Sequence, residues 1–433
     1  MQLYSTNNPD LRCSLKEAIF QGLPADNGLY MPVEIPELPT AFIRNLSQFT
    51  FPEIAVQVAR ALIGPEIPKA DLETIIRNAI TFPAPVVNLG EHTHILELFH
   101  GPSLAFKDFG ARFMAQTMSY FNREAAQELT ILVATSGDTG GAVAAGFYQT
   151  PGIRVVILYP SGKVSPLQEK QLTTLGHNIT ALEVAGTFDD CQALVKRAFL
   201  DTELRTRLRL SSANSINISR LIPQVFYYWE ACKQLYHRAK EIVFVVPSGN
   251  FGNLTAGLIA WKMGLPASHF VAATNANDVV PEYLKFGAFI ARPSIPTLSN
   301  AMDVGNPSNF ARMLDLYGST WNIMKEHISG YAFTDEQTRA AMQQVFQQHG
   351  YIMDPHGAVG YLAWKAYQQE KSSRATGVIL ETAHPSKFRE AAESILGSTV
   401  EIPDTLARLS ARKKEAVQMP VNYIQFREWL INH

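Results

Sequence analysis

Ile242-Val-Phe-Val-Val246 runs straight into Pro247-Ser-Gly-Asn-Phe-Gly-Asn253, and that into Leu254-Thr-Ala-Gly-Leu-Ile-Ala-Trp261. The first five residues are apolar and mostly β-branched. This predicts a strand buried on both faces, the form strands take in parallel sheets. The glycine-rich segment after it predicts a loop that opens a helix. Four further runs have the same character: Thr130-Ile-Leu-Val-Ala134, Arg154-Val-Val-Ile-Leu-Tyr159, Phe270-Val-Ala-Ala-Thr274 and Gly377-Val-Ile-Leu-Glu381. Helical patterns separate them, as after Gly140 and after Pro166. Strand, loop and helix in repetition predict an α/β fold with a parallel sheet.

A second strand also opens into glycine, through Ala134-Thr-Ser-Gly-Asp-Thr-Gly-Gly-Ala142. Ligands of α/β sheets bind beyond the carboxyl ends of the strands. A loop there that starts a helix aims free backbone N–H groups and the positive end of the helix dipole at an anion. Glycine lets the backbone come close. Either loop alone reads equally well as a tight turn capped by Ser, Asp or Asn. Two in one chain favour a phosphate or carboxylate site.

Lys107 lies in His100-Gly-Pro-Ser-Leu-Ala-Phe-Lys-Asp-Phe-Gly110, between two phenylalanines. Burial among apolar groups disfavours an ammonium, so more of the amine is free to attack, as Schiff-base chemistry requires. The plainer alternative is a surface lysine with its stem laid along apolar side chains.

Size and composition set the frame. At 433 residues the chain exceeds what one hydrophobic core normally serves, so two or three domains are expected. The formal net charge of -2 argues against a general nucleic-acid or membrane-surface binder. No apolar run approaches ~18–20 residues, so no membrane span is expected. The N-terminus lacks a basic region followed by an apolar one. Cys13, Cys191 and Cys232 are scattered and odd in number, as in a reducing compartment. A cytoplasmic enzyme is the expectation.

The missing motifs narrow the chemistry. Neither glycine loop reads G-x-x-x-x-G-K-[ST] or G-x-G-x-x-G, which argues against nucleotide triphosphatase and dinucleotide folds. No H-E-x-x-H and no clustered Cys/His set occurs, so no metal site is expected; His92 and His94 form only an isolated pair. A reactive lysine with a phosphate cradle and no nucleotide signature points to pyridoxal 5'-phosphate. That cofactor needs a Schiff-base lysine, a seat for its phosphate and a partner for its ring nitrogen.

Five motifs then stand in order: His100–Gly110, Thr135-Ser-Gly-Asp-Thr-Gly140, Ser212-Ala-Asn-Ser-Ile-Asn217 with Arg220, Ser248-Gly-Asn-Phe-Gly252, and Thr382-Ala-His-Pro385. With the early segment Gln21-Gly-Leu-Pro-Ala-Asp-Asn-Gly-Leu-Tyr30, they resemble the threonine synthases of the tryptophan-synthase-β-like group. The resemblance runs over nearly the whole chain. It implies conversion of O-phospho-L-homoserine and water into L-threonine and phosphate. It implies Lys107 as the covalent anchor and main proton carrier, and a cradle of Gly249, Asn250, Phe251, Gly252 and Asn253 for the cofactor phosphate. Thr382 is then the hydroxyl at the ring nitrogen. Ser136, Asp138 and Thr139 receive the substrate, and Ser215, Asn217 and Arg220 hold its phosphate. Asp138 stands where relatives often carry Asn; a carboxylate would repel the substrate's own, so a helix-capping role is the alternative. His356 and His384 are candidates for secondary roles. A related threonine or serine dehydratase, a phospho-lyase and a non-catalytic binding module remain the rival readings.

The fold expected is two open, largely parallel α/β domains with the cofactor in the cleft between them, plus a mainly helical N-terminal domain. The segments are 1–90, 91–240 with Lys107 and the smaller α/β domain, and 241–433 with the phosphate loop and C-terminal helices. Within 1–90, Phe51, Ile54, Ala55, Val58, Ala59 and Leu62 recur at helical spacing. One or two surface helices are expected beyond about Ala407. A monomer or homodimer is expected.

Overall fold

A computed structural model describes residues 1–433 except Glu91, His237, Arg238 and Ser373. The chain opens with an antiparallel sheet of β1 (Gln2–Ser5), β2 (Asn8–Ser14) and β3 (Tyr30–Pro32), in the order β2-β1-β3. This small sheet is an addition to the mainly helical N-terminal segment. β2 is short, polar and exposed along most of its length, so it carries no apolar run to announce it. Helices follow, as expected. In helix Phe51–Ile63 all six apolar residues at helical spacing are buried. Its start is fixed by Glu53, which accepts the Thr50 N–H at 2.8 Å.

Strand labels continue with β4 (Val86–Gly90), β5 (Thr93–Glu97), β6 (Leu129–Ala134), β7 (Ile153–Pro160), β8 (Ile179–Val184) and β9 (Arg209–Ser212). The last five are β10 (Ile242–Pro247), β11 (His269–Thr274), β12 (Ile328–Ala332), β13 (Thr376–Glu381) and β14 (Val417–Met419). All five expected strands are present. They sort into a five-stranded sheet, β14-β8-β7-β6-β9, and a six-stranded sheet, β12-β11-β10-β13-β5-β4. Every pairing in both sheets is parallel except β4 with β5.

The apolar runs explain the layering. Alternate residues of β10 point to opposite faces. Ile242, Phe244 and Val246 enter the main core, while Val243 and Val245 pack with Val359, Ala363 and Trp364 of helix Pro355–Lys371. In β6, Ile131 and Val133 join the main core, and Leu132 and Ala134 face Leu194, Val195 and the C-terminal Phe426. Both faces being covered, the strands carry no polar alternation. The two C-terminal helices, Asp404–Ser410 and Tyr423–Asn432, match the expectation for that region.

The sheets do not follow the linear segments 91–240 and 241–433. β4 and β5 lie in the six-stranded sheet with β10 to β13, and β14 crosses back to the five-stranded one. Both excursions are short strands at or next to a sheet edge, which leave little mark in hydrophobic pattern. The crossing matters, because β5 delivers the lysine loop to the end of β13.

Packing between sheet and helix is tight at Gly377, where an added Cβ would stand 2.3 Å from the Trp364 ring. Overpacking of this kind costs ~1–3 kcal/mol or more. Gly377→Val is expected to lower the urea midpoint of unfolding by a corresponding amount; an unchanged midpoint would show that Trp364 moves aside freely.

Candidate active site

Three loops at the carboxyl ends of β6, β10 and β13 meet the lysine loop that follows β5. That loop is built backwards from its hydrogen bonds. Leu104 adopts a left-handed conformation with φ 57°, and its N–H donates to Gly101 O at 3.0 Å. Phe106 N–H then donates to Thr382 O (2.9 Å), and His384 N–H to Leu104 O (3.0 Å). Lys107 becomes the first residue of helix Lys107–Asn122, beside the residue after β13. Its side chain is 17% exposed, and its nearest charged partner is Asp138 Oδ2 at 3.9 Å. Burial lowers its proton affinity; Asp138 works against this, and Lys387 and Arg220 reinforce it. A weakly paired amine in a largely dry place is what the sequence led us to expect.

The loop after β10 ends in Phe251, left-handed at φ 59°, which turns the chain into helix Gly252–Lys262. The first N–H groups of that helix lack intrahelical carbonyl partners by geometry. Asn253 shapes the loop: Nδ2 donates to Pro247 O (2.8 Å), and Oδ1 accepts from Ser248 Oγ (2.5 Å) and Leu254 N (3.0 Å). Its side chain therefore braces the loop. Gly249 is packed tight, since a Cβ would stand 2.6 Å from Met302 Cα. Gly252 differs. A Cβ there would meet only Asn309, with Nδ2 at 3.4 Å, and that buried Nδ2 has no hydrogen-bond partner. The space beside Gly252 is thus lined by donors.

Thr382 is buried, and its hydroxyl has no protein partner among the described residues. An amine, a donor-lined cradle at a helix start and an uncommitted hydroxyl fit the aldehyde, phosphate and ring nitrogen of pyridoxal phosphate.

The loop after β6 is organised by Thr135, whose Oγ1 accepts from Gly137 N (3.0 Å) and Gly140 N (2.8 Å). Ser136 is exposed and Thr139 half-buried at the start of helix Asp138–Phe147. Asp138 does not cap this helix, which corrects that alternative: it is the first helical residue and makes no capping bond. Its Oδ1 instead pairs with Lys387 Nζ (2.9 Å) and accepts from Gln168 Nε2 (3.0 Å). The two lysines hold its pKa below the ordinary carboxylate range despite burial.

Ser215 and Arg220 lie where the Asn214–Arg220 segment approaches the cradle. Asn250 joins the two, donating to Ser215 Oγ (2.7 Å) while accepting from Ser308 N (2.6 Å). Arg220 is 3% exposed. One guanidinium nitrogen donates to Ala213 O (2.5 Å), Nε has no partner, and no carboxylate lies in ion-pair contact among the described residues. Burial draws its pKa down to about 10. Arg312 offers a contrast: equally buried, it donates to Tyr30 O, Asn309 Oδ1 and Ile216 O, so its role is structural. Asn217 is a correction. Its amide donates to Ile19 O (2.9 Å) and Ser212 O (3.3 Å), and its oxygen accepts from Ser219 N and Oγ. Every donor and lone pair is used, so nothing remains for substrate.

The histidines are structural as well. His356 Nδ1 contacts Asp354 Oδ1 (2.5 Å), and its Nε2 accepts from Ala301 N (3.3 Å). His384 caps the turn Pro385–Phe388, and burial lowers its pKa to about 4. Three residues escaped the sequence reading: Lys387, Asn309 and Gln168. Lys387 lies two residues beyond the Thr382–Pro385 motif, and none of the three carries a chemical signature of its own.

Comparison with known proteins agrees with this geometry. Residues 80–382 match the family of pyridoxal-phosphate dependent enzymes, residues 2–80 the threonine synthase N terminus, and residues 357–428 the threonine synthase C-terminal family. The chain is 47% identical over 433 residues to threonine synthase of Haemophilus influenzae, covering 100% of both. The crystal structure of threonine synthase from Escherichia coli superposes with TM-score 0.92 at 45% identity, covering 100% of both chains. That of pyridoxal-phosphate-bound threonine synthase from Brucella melitensis superposes at 0.93 and 36%, covering 100% of this chain and 99% of the other.

Gly252 and Gly249 separate cradle from scaffold. Gly252→Val places its side chain in the cradle and meets little protein, so the fold should persist while cofactor affinity falls at least about tenfold, roughly the loss of one charge-assisted hydrogen bond. Gly249→Val should instead lower the melting temperature. Titration of each variant with pyridoxal phosphate, beside a thermal melt, checks both; unchanged affinity in Gly252→Val would remove this loop from the cofactor site.

Proposed function

The chain belongs to the threonine synthases, pyridoxal-phosphate-dependent lyases, and we propose that it converts O-phospho-L-homoserine and water into L-threonine and phosphate with the residues assembled above. The observation that carries this substrate is Arg220. Unlike Arg312, this buried guanidinium has an unpartnered Nε and no carboxylate in ion-pair contact among the described residues, so it calls for an anion, and a phosphate monoester brings close to two negative charges near neutral pH.

Bound here, pyridoxal phosphate supplies an electron sink for charge developing beside the amino group of an attached amino acid. Lys107 would hold the cofactor covalently and, when its amine is free, would be the base placed to move protons at the substrate carbons. The start of helix Gly252–Lys262 seats the cofactor phosphate, and Thr382 meets the ring nitrogen. A hydroxyl can accept from that nitrogen or donate to it and imposes no charge. Ser136 and Thr139, at the start of helix Asp138–Phe147, receive the substrate carboxylate. Ser215 and Arg220 hold the phosphate through its departure from Cγ, after which water adds at Cβ. Substrate and cofactor phosphates are then handled by adjacent segments, linked by the Asn250–Ser215 bond.

Lys107→Ala should abolish covalent cofactor attachment and threonine formation with little change in melting temperature. Turnover near the wild-type rate would send the anchor elsewhere. Arg220→Ala should lower kcat/KM for phosphohomoserine by ~2–4 kcal/mol, the range for truncating one partner of a buried charged contact. Cofactor binding and homoserine binding should barely change. Equal weakening of all three would make Arg220 a structural residue. Scoring threonine and 2-oxobutyrate separately in the same assay distinguishes replacement by water from a dehydratase or phospho-lyase outcome.

A further inference from the structure

Lys387 lies on the turn Pro385–Phe388, just past the strand end that carries Thr382, and is 2% exposed. Its ammonium donates to Ser103 O (2.8 Å), Gln171 Oε1 (3.0 Å) and Asp138 Oδ1 (2.9 Å). Three donors meet three acceptors, so no proton is left for a ligand. Lys387 is not a substrate-binding group. Its acceptors come from three separate elements: the lysine loop, helix Pro166–Thr173 and helix Asp138–Phe147. The residue itself follows β13 of the six-stranded sheet, while Asp138 and Gln171 belong with the five-stranded sheet. The two halves are therefore joined by a buried ion pair beside Lys107.

We propose that Lys387 is a positioning residue for the reaction, which holds Asp138 ionised by one oxygen and so leaves the other as a loose, adjustable partner for Lys107. The proposal rests on Lys107 being the lysine that bears the cofactor. Asp138 Oδ1 is taken up by Lys387 and Gln168, and only Oδ2 faces Lys107, at 3.9 Å. Without Lys387, Lys107 would be the sole cation of a buried carboxylate and would be held as the ammonium. With it, the carboxylate stays compensated whether or not Lys107 carries a proton. The other charged groups facing this place are Arg220, and Asp108 on the helix of Lys107 itself, whose Oδ2 is engaged by Ser103 N at 2.9 Å. The same pair answers the objection that Asp138 would repel an anionic substrate: its charge is already neutralised.

The readout is the pH at which the visible absorption of the cofactor-loaded protein titrates, which reports protonation of the Lys107 nitrogen. Lys387→Met should raise that midpoint, and Asp138→Asn should lower it by about one pH unit or more, as loss of an adjacent opposite charge does. Asp138→Asn combined with Lys387→Met should return it toward wild type, and Lys387→Arg should stay near wild type. If Lys387→Met alone does not fold, the comparison of Asp138→Asn with the double variant decides: recovery supports the coupling, and identical midpoints overturn it. An unmoved midpoint in a folded Lys387→Met overturns it as well. A wild-type absorption band that persists in Lys107→Ala would instead defeat the assignment of Lys107, a separate and recognisable outcome.

Discussion

Two backbone hydrogen bonds hold the site together: Phe106 N–H to Thr382 O and His384 N–H to Leu104 O. They bind the lysine loop to the chain leaving β13 as a short antiparallel bridge, Ala105 opposite Ala383. Through them Lys107 and Thr382, proposed as covalent anchor and ring-nitrogen partner, share one rigid unit, although 275 positions separate them in sequence. The left-handed backbone at Leu104 is the cost, of order 1 kcal/mol or more for a residue with a bulky side chain. The surrounding bonds over-determine it. Gly101 shows how closely the loop is wrapped, since a Cβ there would stand 2.4 Å from Asp108 Oδ2.

Around that unit the protein buries charge in quantity, and it does so in two ways. Lys387 and Asp138 pair at 2.9 Å, with every Lys387 donor and Asp138 Oδ1 engaged. Arg220 and Lys107 are buried with less than full compensation. The first pair supports, and the second pair faces the chemistry. A buried charge short of partners is expensive. Such a group is stable where a ligand completes it, which is the place proposed for Arg220.

The parallel strands were legible because burial on both faces leaves continuous apolar runs, as in Ile242–Val246. The glycine loops were legible because a helix start that must approach an anion excludes side chains. Short edge strands such as β2, β4 and β14 were not, since strands of three to seven residues at an edge show no continuous run. Site residues divided along the same line. Lys107 and the cradle stood out by their own identity and local setting, whereas Thr382 was singled out only through the family resemblance. Asn217 looked like a ligand by type and position, yet its amide is spent on Ile19 and Ser212, partners that only the folded chain brings near. Lys387 erred in the opposite sense: nothing local distinguishes it from a surface lysine before Asp138 and Gln171 arrive from the other sheet.

The strand end that presents Thr382 is also fixed from behind. Glu381 Oε1 accepts the Asp354 N–H at 2.7 Å, and Asp354 in turn caps helix Pro355–Lys371 through the His356 N–H. Burial and the neighbouring Asp354 carboxylate push the Glu381 pKa well above the usual range. Its other oxygen lies so close to helix Pro355–Lys371 that a Cβ at Gly357 would overlap it at 1.6 Å. The raised proton affinity of the acid directly before Thr382 favours its uncharged form. A hydroxyl there can then tune the cofactor mildly, where a nearby carboxylate would hold the ring nitrogen protonated. Glu381, Asp354 and Gly357 thus fix from behind the strand end that presents Thr382, the hydroxyl proposed to meet the ring nitrogen.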